Sequence, residues 1–122
     1  MTQEDKQLLL QDLCARLPYG VKCDRYGNSY KLVDIDIERE LVYLLRDEQY
    51  VPYSILRGDI IKPYLRPMSS MTEEEKDEYK RVIETLLWTE EMDFYNKYHF
   101  DYRGLIEKGL ALEAPEGMYE EI

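Results

Sequence analysis

The sequence predicts an α+β domain with an N-terminal helix, a small antiparallel sheet of three to five strands and a C-terminal helical region. Apolar residues recur at helical spacing over the first 17 residues, alternate with a period of two over residues 21–57, and return to helical spacing after residue 72. A chain of 122 residues is the length of one ordinary domain. We therefore expect a single domain, with a helix-and-sheet subregion at 1–67 and an acidic helical subregion at 68–122.

The first helix is predicted over residues 4–17. Its apolar stripe comprises Leu8, Leu9, Leu13 or Cys14, and Leu17. Thr2 is placed to accept a hydrogen bond from the first turn, as helix caps do. Pro18 ends the helix because it disfavours helical geometry in the residue before it.

The strand region begins with a short alternating run and a turn at residues 26–29, followed by a second alternating run over 33–38. Residues 41–45 are apolar at both odd and even positions, which is typical of a central strand that is covered on both faces. The run at 50–56 contains Pro52, which cannot donate to a ladder and so predicts an edge strand. These short strands predict either a curled meander or an SH3-like, partly open barrel.

Pro63 and Pro67 bracket the junction between the two subregions. Their spacing lacks the PxxP step of groove-binding peptides, which makes a docking peptide the weaker interpretation. We expect a stiff strap there, with Tyr64 and Leu65 against the core.

A capping box formed by Thr72 and Glu75 predicts the start of the next helix. The apolar stripe that follows, predicted to face the core, is Tyr79, Val82, Ile83, Leu86 and Leu87. The stripe loses its register near Thr89, where we expect a break with Thr89 as the second cap. A further short helix is predicted over residues 102–108, ended by Gly109.

The net charge of −10 is concentrated in the second half of the chain. Residues 1–67 contain 11 acidic and 10 basic residues, whereas residues 68–122 contain 15 acidic and 6 basic ones. Such a surface repels phosphate backbones, so nucleic-acid binding is disfavoured. A nucleic-acid-binding module in the strand region is an alternative that requires its basic residues on one face, namely Lys22, Arg25, Lys31 and Arg39.

The two cysteines, Cys14 and Cys23, lack metal-type spacing and are expected to be buried free thiols. The chain starts with polar residues instead of a basic and then apolar leader, which favours a reducing, cytoplasmic setting. Its apolar runs are far shorter than the roughly 20 residues that span a bilayer. We expect neither a membrane association nor a bound cofactor.

Two sets of residues could carry enzyme chemistry. Asp34, Asp36 and Glu38 alternate along a strand and could hold a divalent cation, although alternation with Val33, Ile35 and Ile37 already explains them as a solvated face. His99 is the only histidine and could act as a base beside Asp93 or Asp101 in a small hydrolase. We favour a role for His99 in capping the carbonyls of the preceding helix.

Tyrosine is unusually frequent, at 12 of 122 residues. Tyr64, Tyr95, Tyr98 and Tyr102 gather around the proline segment and the last helices, and tyrosine suits both recognition surfaces and the rim of a small core. We therefore predict a noncatalytic protein that binds an unknown protein partner through tyrosine-bearing and acidic surface. An acidic mimic of nucleic acid is a variant of this idea, and a homodimer is left open.

Three long blocks carry a resemblance to a known group of proteins: LCARLPYGV at 13–21, IKPYLRPMSSMTEEE at 61–75 and HFDYRGLIEKGLALEAP at 99–115. With them the chain resembles a family of small uncharacterised proteins of Bacteroides-type gut bacteria, largely from their prophages and other mobile elements. The resemblance implies a phage or mobile-element origin and a cytoplasmic bacterial setting. It implies no catalytic residue, ligand or cofactor.

Overall fold

The computed structural model describes residues 2–54 and 61–119, and they form the predicted α+β architecture. Helix α1 spans Gln3–Arg16, α2 spans Glu73–Glu84 and α3 spans Trp88–Lys97. The six strands are β1 (Lys22–Arg25), β2 (Asn28–Asp36), β3 (Leu41–Arg46), β4 (Gln49–Ser54), β5 (Lys62–Leu65) and β6 (Leu112–Glu113). None of the helices in these ranges is long and apolar enough to cross a membrane.

Helix α1 begins and ends as its sequence predicts. The Thr2 hydroxyl accepts a hydrogen bond from the Asp5 backbone N–H, and the Asp5 carboxylate accepts one from the Thr2 N–H. The helix ends at Arg16, and Pro18 lies in a 3-10 turn that Gly20 closes at φ 68°. Glycine adopts this left-handed conformation without the steric cost of a Cβ.

The strands form one open sheet in the order β4-β3-β2-β1-β5-β6. All neighbours are antiparallel except β5 and β6. The strand order leaves β4 at one edge, as Pro52 predicts, and β6 at the other. The sheet is therefore a meander extended by two further strands and does not close into a barrel. Of the predicted run at 50–56, Ile55 and Leu56 lie outside the described residues.

The predicted strap is a strand. Cys23 of β1 pairs with Pro63 of β5, and Tyr64 of β5 pairs with Leu112 of β6. Alternate residues Ile61, Pro63 and Leu65 are buried, which is the period-two pattern of a strand with one face on the core. The two prolines hid this alternation, because proline in a strand pattern argues against an interior strand.

The main core lies between α1 and the sheet. Leu9 and Leu13 of α1 pack against strand residues such as Leu32 and Leu44. A second, largely aromatic cluster is centred on Phe94, Tyr95 and Phe100, with side chains from α2 around it. Backbone hydrogen bonds between Arg66 and residues 99 and 101 join the two halves of the chain.

The structure corrects two predictions about the C-terminal helices. The break between α2 and α3 falls at residues 85–87, so Thr89 lies inside the first turn of α3 and does not cap it. Residues 102–109 form successive turns where a short helix was predicted. Gly104 at φ 71° leaves the helical path, and the Asp101 carboxylate accepts the backbone N–H groups of Leu105 and Ile106.

Candidate functional site

The tyrosines predicted to form an interaction surface are mostly engaged inside the protein. Tyr95 is only 7% exposed, donates a hydrogen bond to Glu91 (2.8 Å) and stacks on Tyr102. Burial and hydrogen bonds with Tyr79 and Glu91 raise the pKa of the Tyr95 hydroxyl well above its usual value. Tyr98 donates to Glu78 at 3.1 Å. These rings build the second cluster and offer little contact area to a partner.

Tyr64 lies apart from the other three, on β5. Its hydroxyl donates to the Asp24 carboxylate (3.1 Å), and its carbonyl accepts a hydrogen bond from Tyr119 (2.7 Å). The structure therefore places three of the four tyrosines together and the fourth in the sheet.

His99 lies at the wall of a cleft of about 790 Å³. Its ring is buried and stacks on Tyr119 with 3.7 Å between ring centroids. The His99 backbone is left-handed, at φ 63°, and its N–H donates to the Asn96 carbonyl at the end of α3. The end of the helix is thus capped by the backbone of His99, whereas the ring nitrogen Nδ1 has no hydrogen-bond partner among the described residues.

Within residues 2–54 and 61–119, the cleft does not bring His99 together with the aspartates proposed as its partners. Burial, together with the positive charges of Arg16, Arg66 and Lys22, lowers the pKa of His99 to about 4. Three glutamates line the cleft, namely Glu75, Glu113 and Glu116. Glu75 is held by Arg66 in a bidentate ion pair with both distances at 2.7 Å. Hydrogen bonds from Arg66 lower the pKa of Glu75.

Neither aspartate proposed as a partner for His99 serves as one. Asp101 uses both carboxylate oxygens to accept backbone N–H groups of the following turn. Asp93 is exposed on α3 and does not line the cleft. His99, whose lowered pKa keeps it neutral at pH 7, is therefore oriented by neither of the two proposed aspartates.

The predicted row of three carboxylates does not form a metal site. A bulge at Val33 shifts the register of β2 against β3, and Glu38 falls in the turn after β2. The Asp36 carboxylate accepts the Arg39 N–H, and the Asp34 carboxylate accepts the Ile35 N–H. Within the described ranges, no group of three His, Cys, Asp or Glu side chains could hold a metal ion.

The four basic residues of the strand region do not share one face. Lys22 and Lys31 are cross-strand partners. Arg25 projects to the opposite face of β1, because side chains alternate along a strand, and stacks over the Tyr53 ring at 3.9 Å. Arg39 lies in the turn between β2 and β3. The arrangement lacks the continuous basic surface that a nucleic-acid-binding sheet needs.

Both cysteines are free thiols, as predicted. Cys23 is buried in the main core, where burial raises the pKa of its thiol. Cys14 is half-buried.

An exposed apolar surface lies where α2 meets α3, and we call it the apolar corner. It comprises Ile83, Leu86, Leu87 and Trp88, whose exposed fractions are 42%, 89%, 54% and 71%. These side chains and Glu91 line a shallow pocket of about 280 Å³. The prediction that Ile83, Leu86 and Leu87 face the core is therefore wrong, and only Tyr79 and Val82 of that stripe pack on the second cluster.

The backbone of the turn directs these side chains outward. Leu86 adopts a left-handed conformation at φ 58°, which costs an ordinary L residue about 1–2 kcal/mol. Leu87 occupies the cap position of α3 and provides no side-chain hydrogen bond to the helix. The Thr85 hydroxyl donates to the Val82 carbonyl at 2.7 Å and accepts the Leu87 N–H, which fixes the turn.

Charges of both signs adjoin the apolar corner in sequence. Residues 80–97 contain four carboxylates and three cations, which are Lys80, Arg81 and Lys97. Glu84, Glu90 and Asp93 are exposed, and Glu91 is half-buried. A sequence signal for this surface existed in the run Leu86-Leu87-Trp88, which departs from helical spacing at the point where the stripe loses its register.

The fold is that of an α+β protein with an open, six-stranded sheet and a helical pair that ends in an exposed apolar corner. A comparison with known proteins finds no family model, no curated protein and no solved structure that matches the chain significantly.

Proposed function

We propose that this protein is a noncatalytic interaction protein and that the apolar corner is its binding surface. The proposal is carried by the exposure of four large apolar side chains in one contiguous surface. Contiguous exposed apolar surface on a protein marks interaction sites, whereas single exposed apolar residues are normal. The remaining large apolar side chains exposed in the described ranges lie on four different segments of the chain: Tyr26, Ile37, Tyr50 and Met68.

Two consecutive residues of the corner also violate local rules of stability. Glycine is the residue that suits the left-handed conformation of Leu86, and Ser, Asp or Asn suits the cap position of Leu87. Both positions hold leucine and both expose it. Such local violations are expected at functional sites, where a contact made in the complex outweighs a loss in the free protein.

The setting that we propose follows from the sequence. The three family-like blocks support a phage or mobile-element origin in Bacteroides-type bacteria. The free thiols Cys14 and Cys23 support a reducing, cytoplasmic compartment. The binding partner is then a host protein or one encoded by the same element.

The test is a quantitative capture from lysate of cells that naturally produce the protein. The corner variant is Leu86→Gly/Leu87→Ser, which removes two exposed side chains while giving each position a residue that its backbone favours. The matched control is Ile37→Ser/Tyr50→Ser, which removes two side chains of similar exposure elsewhere (65% and 67%). We expect the corner variant to lose the proteins that wild type and control both retain. Equal retention by all three chains would refute the proposal.

A further inference from the structure

We propose that the cleft beside His99 binds a small organic cation that carries a hydroxyl group, such as a phenolic amine. The site is independent of the apolar corner, with which the cleft shares no lining residue. Three properties of the described cleft wall lead to this ligand: its size and aromatic rings, the pairing of its charges, and a buried ring nitrogen without a partner.

The cleft has the size and the lining of a small-molecule site. Its volume of about 790 Å³ falls within the range of roughly 300–1,000 Å³ that is usual for ligand pockets. Three half-buried tyrosines line it, namely Tyr19, Tyr98 and Tyr119. Aromatic ring faces attract cations, and Lys97 Nζ of the protein itself lies 4.9 Å from the centroid of the Tyr98 ring. These rings suit a ligand that joins an apolar body to a positive charge.

The cations of the described wall are engaged by the protein. Arg66 directs both terminal nitrogens at the Glu75 carboxylate and also donates to two backbone carbonyls. Lys97 pairs with Glu78 at 3.9 Å. An anionic ligand would therefore have to compete with carboxylates of the protein for each of these positive charges.

The two helix ends at the cleft also favour a cation. Thr72 and Glu75 belong to the start of α2, where the side chain of each accepts a backbone N–H from the other. The first turn of α2 carries three glutamates, which already occupy the end of the helix that attracts negative charge. Helix α3 ends in the wall at Lys97, and the carbonyl end of a helix attracts positive charge.

Two carboxylates of the wall are available to a cation. Glu113 and Glu116 line the cleft, and both are exposed. Neither forms an ion pair with any residue in the ranges 2–54 and 61–119. The unpaired charges of the described wall are therefore negative, and we place the ammonium group of the ligand beside them.

His99 supplies a hydrogen-bonding group in a buried part of the same wall. Its ring is 7% exposed, and Nδ1 has no hydrogen-bond partner among the described residues. The positive charges of Arg16, Arg66 and Lys22 around the ring disfavour a further cation there, so the group that meets His99 is uncharged. A hydroxyl both donates and accepts, and it can therefore pair with Nδ1 in either tautomer of the neutral ring.

A series of four small molecules tests the proposal by NMR, with the single histidine as the reporter. Tyramine carries both the ammonium and the hydroxyl group. Tyrosol replaces the ammonium with a neutral group, phenethylamine lacks the phenolic hydroxyl, and para-hydroxyphenylacetate carries a negative charge instead. We expect tyramine to shift the His99 ring resonances and to bind about fivefold more tightly than tyrosol or phenethylamine. The acetate should leave these resonances unchanged.

Charge variants show whether the ammonium lies at the two available carboxylates. Glu113→Gln/Glu116→Gln removes both of them, whereas the control Glu74→Gln/Glu90→Gln removes two exposed carboxylates that do not line the cleft. The first pair should weaken tyramine binding about fivefold and change tyrosol binding by less than about twofold, which shows that the cleft is intact. The control should change neither by more than about twofold.

Three results would overturn the proposal. The first is equal binding of tyramine and any other member of the series. The second is an equal effect of the two variant pairs on tyramine binding. The third is the absence of any shift of the His99 resonances with tyramine at about 10 mM.

Discussion

Asp12 of α1 is fully buried and joins the N-terminal helix to the C-terminal part of the chain. Its carboxylate accepts from Arg16 Nε at 2.9 Å and from Arg103 Nη1 at 2.7 Å. Arg16 is equally buried, and its Nη2 donates to the Phe100 carbonyl at 2.6 Å. Because two arginines share one carboxylate, removing Asp12 leaves the buried guanidinium of Arg16 without the opposite charge that neutralises it.

We therefore predict that Asp12→Ala lowers the free energy of unfolding by about 3–5 kcal/mol. Urea denaturation measures this change. The matched control is Asp36→Ala, which removes a half-buried carboxylate paired with the exposed Arg39 and should cost less than about 1 kcal/mol. Similar losses in the two variants would show that the buried network has no special structural role.

His99 makes stability depend on pH in a defined window. Its pKa in the folded protein is about 4, below the ordinary value of 6.5. Between these values the unfolded chain binds a proton that the folded protein does not, so this contribution is complete above pH 6.5 and is lost as pH falls toward 4. The full loss is up to about 3 kcal/mol.

The single histidine makes this prediction directly measurable. An NMR titration of the His99 ring should show a neutral imidazole down to about pH 5. Glu75, whose pKa is also lowered, begins to lose its contribution only as pH falls through its ordinary value of 4.5, so loss of stability between pH 6.5 and 5 reports mainly on His99. A midpoint near 6.5 would mean that the ring is solvated and that the stack on Tyr119 does not persist.

At the scale of elements, the turn between α2 and α3 is destabilised by the left-handed conformation of its exposed Leu86. We predict that Leu86→Gly leaves the free energy of unfolding unchanged or raises it by about 1 kcal/mol, because relief of the left-handed strain offsets the entropy of glycine. Ile83→Gly, in the last turn of α2, is the control and should cost about 1 kcal/mol. Equal losses from the two changes would mean that Leu86 is held by packing and is not strained.

Tyr119 connects the C-terminal segment to strands β1 and β5 by hydrogen bonds. Its hydroxyl donates to the Tyr64 carbonyl (2.7 Å) and accepts the Lys22 N–H (2.9 Å). Tyr119→Phe should therefore cost about 1–3 kcal/mol and speed hydrogen exchange at the Lys22 amide. Unchanged exchange at Lys22 with unchanged stability would show that this hydrogen bond is not maintained in solution.

Much of the fold could be predicted from the sequence because local signals and tertiary structure agree there. The capping residues Thr2 and Thr72 and the edge proline Pro52 all have the predicted roles. Strand β5 escaped prediction because its alternation runs through Pro63, and its partners on β1 and β6 are distant in sequence.

The apolar corner escaped prediction for a different reason. The apolar residues from Tyr79 to Leu87 have the helical spacing of a core-facing stripe. Sequence periodicity does not show which part of such a stripe is covered by other elements of the fold and which part is left exposed. In the structure Tyr79 and Val82 pack on the second cluster, whereas Ile83 and Leu86 lie past its edge.

In the whole molecule the sheet and α1 form a scaffold, and we propose that the tip of the helical pair is a binding surface. The most direct measurement is photo-crosslinking in cells that naturally produce the protein, with a photoreactive phenylalanine analogue in place of Leu87 or, as a control, in place of Tyr50. Both positions are exposed, and Tyr50 lies on the edge strand β4. We predict a discrete adduct from position 87 and none from position 50. Adducts from position 50 and none from position 87 would contradict it.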